Sequence, residues 1–424
     1  MFFLRIKISD LYDLKEGEPL KMIKVYKYKS KLIKEKTIKK NINIDYIYSF
    51  MKNFDISSAI WVLYMVYKGL PLWQIGIVEG VFHLTSFLFE VPSGAAADLF
   101  GRKKVMIAGR ICSVVSSVIN LFAVNLFGFS IGFMISALGY NLNSGSEEAL
   151  VYDTLKQEDC ENEYLKVSSR LNLIIEISQG LATFIGGVLA QYSYVYCYGM
   201  AIIISLLSLI PCCMFKEPSI KDENKRKEKV SIKMHFRICY EILKTNKKII
   251  KVIVYFPLVF TFHTVVYFYG QQYFSILGCN KIEISFIMFF GGISSCIGAL
   301  SCEKIIYFFK DKTRYVASAL MGISIVFISV KILSVSITFF CVMNYVNALL
   351  YPIQSEALNE LIPSEQRATI ISIDSMMFSF SMICMFPLCG LFADKFNLHI
   401  TFFVLGIIQI LMMVLLINRK KDRK

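Results

Sequence analysis

Gly94-Ala-Ala-Ala-Asp98-Leu-Phe-Gly101-Arg102-Lys103-Lys104 lies between two long apolar runs. Two glycines, an acid and a basic cluster in so short a stretch form a charged turn in an otherwise apolar chain. The glycines allow a tight turn without a Cβ penalty. Asp98 closes the preceding helix, where a carboxylate is well placed to meet the positive N-terminal end of a neighbouring helix.

Outward from this turn the chain is apolar in both directions. Of its 424 residues, 55% are hydrophobic and 18% charged, where a soluble chain carries about 25% charged residues. Apolar stretches of about 20 residues match ~30 Å of hydrocarbon when helical. Helix is the required form because backbone polar groups in lipid must be paired within their own segment. The pattern predicts an all-α integral membrane protein with twelve spans, at about 46–67, 73–95, 104–125, 129–151, 168–191, 196–215, 248–270, 283–303, 315–332, 336–358, 368–390 and 398–418. Lys52 and Asp55 interrupt the first of these. The opening ten residues are too short and too charged for a cleaved secretory signal, and Met22 is an alternative start.

The net charge of +14 raises the question of nucleic acid, and its distribution answers it. Residues 1–45 carry twelve Lys and Arg, residues 216–251 carry twelve more, and the end from Arg419 to Lys424 adds five. Short loops on the same side add Arg102, Lys103, Lys104, Arg170 and Arg367, whereas the opposite loops hold only Lys68, Lys281, Lys331 and Lys395. This is the positive-inside bias, which predicts both termini in the cytoplasm and a plasma-membrane setting. Basic flanks also suit an anionic leaflet. With no folded domain to present these charges, nucleic acid is not an expected partner.

Twelve cysteines and four histidines offer no metal or disulfide framework. Many of the cysteines, among them Cys112, Cys212, Cys296 and Cys389, fall in apolar spans as small fillers. No C-x-x-C pair occurs and the histidines are scattered, so no metal or other cofactor is expected. The phosphate-cradling G-x-x-x-x-G-K-[ST] loop is missing, as are H-E-x-x-H and G-x-S-x-G, which argues against an enzyme.

A polar, Lys-rich tract at 216–247 divides the spans six and six. Echoes recur at offsets near 200 residues. Glu148-Ala-Leu150 returns as Glu356-Ala-Leu358, and each is followed by an arginine that opens the next span, Arg170 and Arg367. An acid follows soon after in both, Glu176 and Asp374. Gly187-Val-Leu-Ala190-Gln191 then aligns with Gly390-Leu-Phe-Ala393-Asp394. The expected organisation is a basic extension (1–45), a six-helix half (46–215), a linker (216–247), a second half (248–418) and a basic tail (419–424).

The 94–104 turn resembles the loop between the second and third spans of the major facilitator superfamily, roughly G-x-L-A-D-x-x-G-R-[KR]-[KR]. Phe215-Lys-Glu-Pro218 resembles the close of the sixth span in that family. Asn359-Glu-Leu-Ile-Pro363-Ser-Glu-Gln-Arg367-Ala-Thr369 resembles the loop before the eleventh in bacterial members. The resemblance implies twelve helices in two halves and a secondary transporter working by alternating access. It also implies that Gly94, Asp98, Gly101, Arg102 and Lys103 form a conformational gate, which locks the cytoplasmic ends of the halves together in one state and releases them in the other. The fifth span departs from the family's antiporter pattern. Its closing pair, Gly186-Gly187, is kept, but the Gly-Pro step is replaced by Ala182-Thr183, a departure that weakens the antiporter resemblance without excluding proton-driven antiport.

The cargo chemistry must lie elsewhere. Glu79, His83, Ser86 and Glu90 fall at i, i+4, i+7 and i+11, within about 60° of one another on a helix. Charge is costly in lipid, so such a stripe should face a bundle interior or a water-filled cavity. Asp55, Glu176, His263 and Asp374 are further candidates for substrate or proton binding, with Arg110, Arg170 and Arg367 as charge partners. Glu147 and Glu148, near the end of the fourth span, are expected to be solvated or salt-bridged. The leading expectation is a monomeric, proton-coupled exporter of a hydrophobic or cationic small molecule, similar to uncharacterised bacterial members grouped with drug exporters. The alternatives are a proton-coupled importer of a sugar or other nutrient, and a transporter-like receptor without turnover.

Overall fold

A computed structural model describes residues 40–157, 160, 163–217, 247–361 and 367–421. Most of the basic extension, the bulk of the Lys-rich linker, the residues after 421 and the loop 362–366 lie outside the described residues. The described chain is helical in two segments. The first, 40–217, contains α1 (40–53), α2 (Trp61–Tyr67), α3 (Leu72–Phe100), α4 (Arg102–Phe122), α5 (Leu126–Lys156), α6 (Tyr164–Tyr192), α7 (Tyr194–Leu207) and α8 (Leu209–Met214). The second, 247–421, contains α9 (Lys247–Ile276), α10 (Lys281–Phe309), α11 (Thr313–Ile328), α12 (Leu333–Leu361), α13 (Arg367–Phe396) and α14 (Leu398–Lys421).

Each apolar run of the sequence falls on helix, but the runs and the helices do not correspond one to one. Among the described residues, eight helical stretches are long and apolar enough to cross a membrane, one of them α7 and α8 taken together (Tyr194–Met214), and α11 and the apolar part of α14 are shorter. The sixth run is split at Ser208 into α7 and α8. The first run breaks at 54–60, between α1 and α2. There the Asp55 carboxylate folds back to accept from the Ser57 amide at 2.9 Å and the Ser57 hydroxyl at 2.6 Å. Such local bonds compete with helix. Gln271 of α9 fills the break. Its amide donates to the Ser58 carbonyl at 3.0 Å, and its oxygen accepts from the Val62 amide at 3.3 Å.

The charged turn is shorter than its sequence suggests. α3 continues through Gly94 and Asp98 to Phe100, and the chain reverses at Gly101 alone, where φ is +90°. That conformation favours glycine. Elsewhere polar caps set the helix starts. Asn125 accepts from the Gly128 amide at 2.9 Å. Asn280 and Glu283 form a reciprocal capping box on α10, which satisfies two orphan amides.

The two segments pack at the end of the bundle opposite Gly101, called here the distal end. One apolar core, including Trp61, Ile75, Val259, Tyr269, Phe340 and Phe386, spans both segments there. At the Gly101 end the cores are separate. Ile249, Ile253, Leu358 and Ile373 cluster in the second segment, and Tyr48, Met106, Leu150 and Phe215 in the first. Glycines permit the distal approach. A Cβ on Gly76 would lie 2.5 Å from the Pro387 Cα, and one on Gly390 would collide with the Leu72 carbonyl. Gly187 serves the same purpose against Ser285 of α10, while Gly186 lets α6 approach Ile56 within the first segment.

Gly76→Ala therefore forces α3 and α13 apart, because backbone cannot yield as a side-chain tip can. The expected overpacking cost is about 1–3 kcal/mol. In a variant whose sole thiol is the buried Cys389, maleimide labelling should accelerate with Gly76→Ala. It should not change with Gly199→Ala, where an added Cβ meets nothing within 4 Å. Equal labelling in both would refute the tight seam.

Candidate functional site

Toward the Gly101 end, where the segments diverge, α3, α5, α9, α12 and α13 enclose a cavity of about 860 Å³. Small-molecule sites run about 300–1,000 Å³. Glu79, His83, Ser86 and Glu90 all line it, as their helical spacing requires. His83 Nε2 lies 3.5 Å from Glu79 Oε1, and its ring meets Phe378 edge-on at 5.6 Å. The Ser86 hydroxyl donates to Asn141 Oδ1 at 2.8 Å, and the Asn141 amide donates to the Ser86 carbonyl at 2.7 Å. From the second segment come His263, with Nε2 3.1 Å from Asn344 Oδ1, and Asp374, whose two oxygens each lie 2.7 Å from the Gln354 amide.

The balance of charge in this lining decides what it can hold. Glu79, Glu90 and Asp374 line it beside two histidines, and among the described residues no Lys or Arg does. The rings of Phe82, Tyr140, Phe260, Phe268, Tyr351 and Phe378 line the same space. Carboxylates and aromatic faces attract organic cations and offer nothing to an anion.

A side chamber of about 550 Å³, lined mainly by the first segment with Tyr267 and Phe268 of α9, adjoins the cavity and shares Glu79, Phe82, Tyr140, Ser144 and Phe268 with it. Asp55, Lys52 and Arg110 line it, with Ser113, Ser116, Asn120, Gln179 and Thr183. Arg110 is buried, and its Nε donates to Ser208 Oγ at 2.8 Å. Glu176 is exposed on α6 and lines neither space. Arg170 is also exposed and forms no ion pair among the described residues. Arg367 opens α13, with its side chain outside the described set.

At the Gly101 end, Arg102 pairs with Asp153 and donates to the Ala149 carbonyl, both on α5. The Glu217 carboxylate accepts from the Arg102 amide at 2.7 Å and the Lys103 amide at 2.9 Å, capping α4. Asp98 is exposed and has no hydrogen bond or ion pair among the described residues. Gly94 is helical, with open space where a Cβ would stand.

The distal end is joined instead. Asp394 accepts from the Leu72 amide at 3.1 Å and the Trp73 amide at 2.8 Å, capping α3 from the other segment. Its repeat-mate Gln191 does the same for α10, accepting from the Lys281 amide at 3.2 Å. The Lys281 ammonium donates to the Ala190 carbonyl at 2.7 Å and lies 3.9 Å from the centre of the Tyr194 ring. The Tyr269 hydroxyl is 3.0 Å from both the Leu72 and Phe386 carbonyls.

Sequence reasoning left Asp153, Glu217, Gln354, Gln271 and Asp394 without a role. Asp394 was visible as the repeat-mate of Gln191, but nothing local to it reveals that it sits on the start of a helix some 320 residues earlier. Glu147 was expected to be solvated or salt-bridged, and it is salt-bridged and buried, paired with Lys52.

A helical bundle of apolar elements, two segments closed at one end and a polar cavity open toward the other describe a membrane carrier rather than an enzyme. The chain belongs to the Major Facilitator Superfamily, whose family model matches residues 46–343 and 310–424. It is 24% identical over 388 residues to YxaM of Bacillus subtilis, an uncharacterised MFS-type transporter, covering 88% of this chain and 94% of that one. A crystal structure of a mutant of the nucleoside transporter NupG superposes with a TM-score of 0.74 at 11% identity, covering 89% of this chain and 99% of that one. That of a D-xylose-proton symporter gives 0.66 at 14%, covering 89% and 97%. At these identities the structural likeness speaks for the fold alone.

Asp394→Ala removes a charged cap from α3. It should weaken the distal seam by about 0.5–2 kcal/mol, from the lost cap and the lost charge on the helix N-terminus. Spin labels on Trp73 and Lys395 should then show a larger fraction of long distances. Gln191→Ala, which removes a neutral cap, should shift its own seam less. Equal shifts would deny the carboxylate any special weight.

Proposed function

We propose that this transporter exports a cationic or hydrophobic small molecule by alternating access, coupled to protons. It does so as a monomeric, twelve-span plasma-membrane protein with two six-helix halves and both termini in the cytoplasm. The observation that carries the cargo class is the central lining, three acids and six aromatic rings without Lys or Arg among the described residues. The basic flanks put the Gly101 end in the cytoplasm, so the described conformation opens inward. Glu79, His83, Glu90 and Asp374 are the groups that exchange protons or meet cargo, and Asp55 and His263 border the same spaces. Asp98 and Arg102 act as the cytoplasmic gate. Here Arg102 is engaged within its own segment and Asp98 is exposed, which suits the released state.

A second reading, proton-coupled import of a neutral, hydroxyl-rich nutrient, draws on the side chamber with its serines, Asn120, Gln179 and Thr183. The two readings part in a ligand-stabilisation screen on the purified protein. A ligand at 100 times its Kd adds about 2.7 kcal/mol to apparent stability. Ethidium and tetraphenylphosphonium should raise the unfolding temperature, and Glu90→Gln or Glu79→Gln should reduce the effect. In inverted vesicles, ethidium uptake should collapse with the proton gradient. Stabilisation by xylose or uridine, with none by the cations, would favour import and overturn export.

A further inference from the structure

α1 and α5 meet along a polar seam that the cargo cavity does not use. On α1, Asn41, Asp45, Tyr48, Ser49 and Lys52 follow helical spacing on one face. On α5 they meet Asn143, Glu147 and Thr154. The Asn41 amide donates to the Thr154 hydroxyl at 3.3 Å. The Tyr48 hydroxyl donates to Asn143. The Ser49 hydroxyl and the Lys52 ammonium each donate to one oxygen of Glu147. Asp45 is the exception. It is 0% exposed, and both of its carboxylate oxygens are buried without a hydrogen-bond partner among the described residues.

The charges around Asp45 are few. Glu147 from α5 and Lys52 from α1 act on it directly, and Arg110 from α4 and Cys212 from α8 face the adjoining Tyr48. Lys52 is engaged by Glu147, and Arg110 by Ser208. An ionised carboxylate with neither water nor a donor is severely penalised, and such a group takes a proton instead. With one proton bound, two acids and one ammonium sum to zero. When the proton leaves, one negative charge remains beside Lys52, which lines the side chamber and so links the seam to that polar space.

We propose that the α1–α5 seam is a second proton-binding site, separate from the cargo cavity, where Asp45 carries the proton while the Gly101 end stands open. Its part in coupling rests on the transport reading above. The proton itself is measured without cargo, so either can fail alone.

The test uses the purified full-length protein, with no ligand added. Asp45 is neutral when folded and ionises above about pH 3.9 when unfolded, so the folded state binds one more proton. Wild-type stability should therefore fall as pH rises above about 5, by an extra factor of about ten in the folding equilibrium per pH unit relative to Asp45→Asn, until folded Asp45 itself ionises. The infrared absorption of a protonated carboxyl at neutral pH should lose one component in the same variant. Asp45→Glu, which keeps a titratable group, should preserve the slope, and Asp45→Leu substitutes if Asp45→Asn does not fold. Replacing sodium with choline should leave both readouts unchanged. Parallel pH profiles, an unaltered infrared band or a sodium-dependent shift would each overturn the proposal.

Discussion

The Asp394 carboxylate on the first two amides of α3 is the contact on which the described arrangement turns. A helix start leaves amides without partners, and Asp394, itself exposed at the rim of the seam, reaches two of them across the segments. Asp394 supplies both an acceptor and a negative charge to the positive end of α3. With that end fixed, Gly76 can lie on Pro387 and Gly390 on the Leu72 carbonyl, and the shared apolar core fills in around Tyr269 and Phe386. Closure there leaves the segments apart at the other end, where their cores are separate. The cavity is what that divergence leaves between them.

α3 and α13 place carboxylates at related positions. Asp98 lies two residues before the last residue of α3, and Asp394 two residues before that of α13. Each is near the end of its own helix, and Asp394 already caps the start of the other. On the alternating-access reading, Asp98 would cap the start of α13 when the Gly101 end closes, while Asp394 lets go of α3. Helix starts can thus exchange one carboxylate for the other. On that reading the cost of an unsatisfied end would be met in either state, and the barrier between the states would be the moment when neither cap is made.

Much of this was legible in the sequence. Periodicity and composition give the all-helical class but not the helix count, since the first run breaks at 54–60 and the sixth at Ser208, and the spacing of Glu79, His83, Ser86 and Glu90 foretold a shared face that does line the cavity. Residues whose partners lie far along the chain were not legible. Gln271 looks like any amide in an apolar helix until the break at 54–60 is seen beside it. Asp45 falls one residue ahead of the expected first span. The run of Asn41, Asp45, Ser49 and Lys52 at helical spacing is a signal in the sequence, but the expected boundary at 45/46 divides it between the basic extension and the first span and so hides the shared face. The Gly94 to Gly101 turn was overestimated for a related reason. Ala95, Ala96 and Ala97 are good helix formers, and a terminal charge such as Asp98 does not end a helix on its own.

The two polar spaces meet at Glu79, which lines both the central cavity and the side chamber. This suggests a division of labour that neither space provides alone. A cation held only by carboxylates would compete with protons at the same atoms, and binding would weaken as those acids took them up. A second acid pair outside the cavity, at Asp45 and Glu147, could take or release a proton without displacing cargo. The change in charge would still reach the cavity, because Lys52 and Arg110 line the chamber that Glu79 borders. Glu79 stands on the same helix that Asp394 caps at its start and that carries Asp98 near its end. A shift of α3 that opens one gate therefore also moves the residue where the proton and the cargo would be compared.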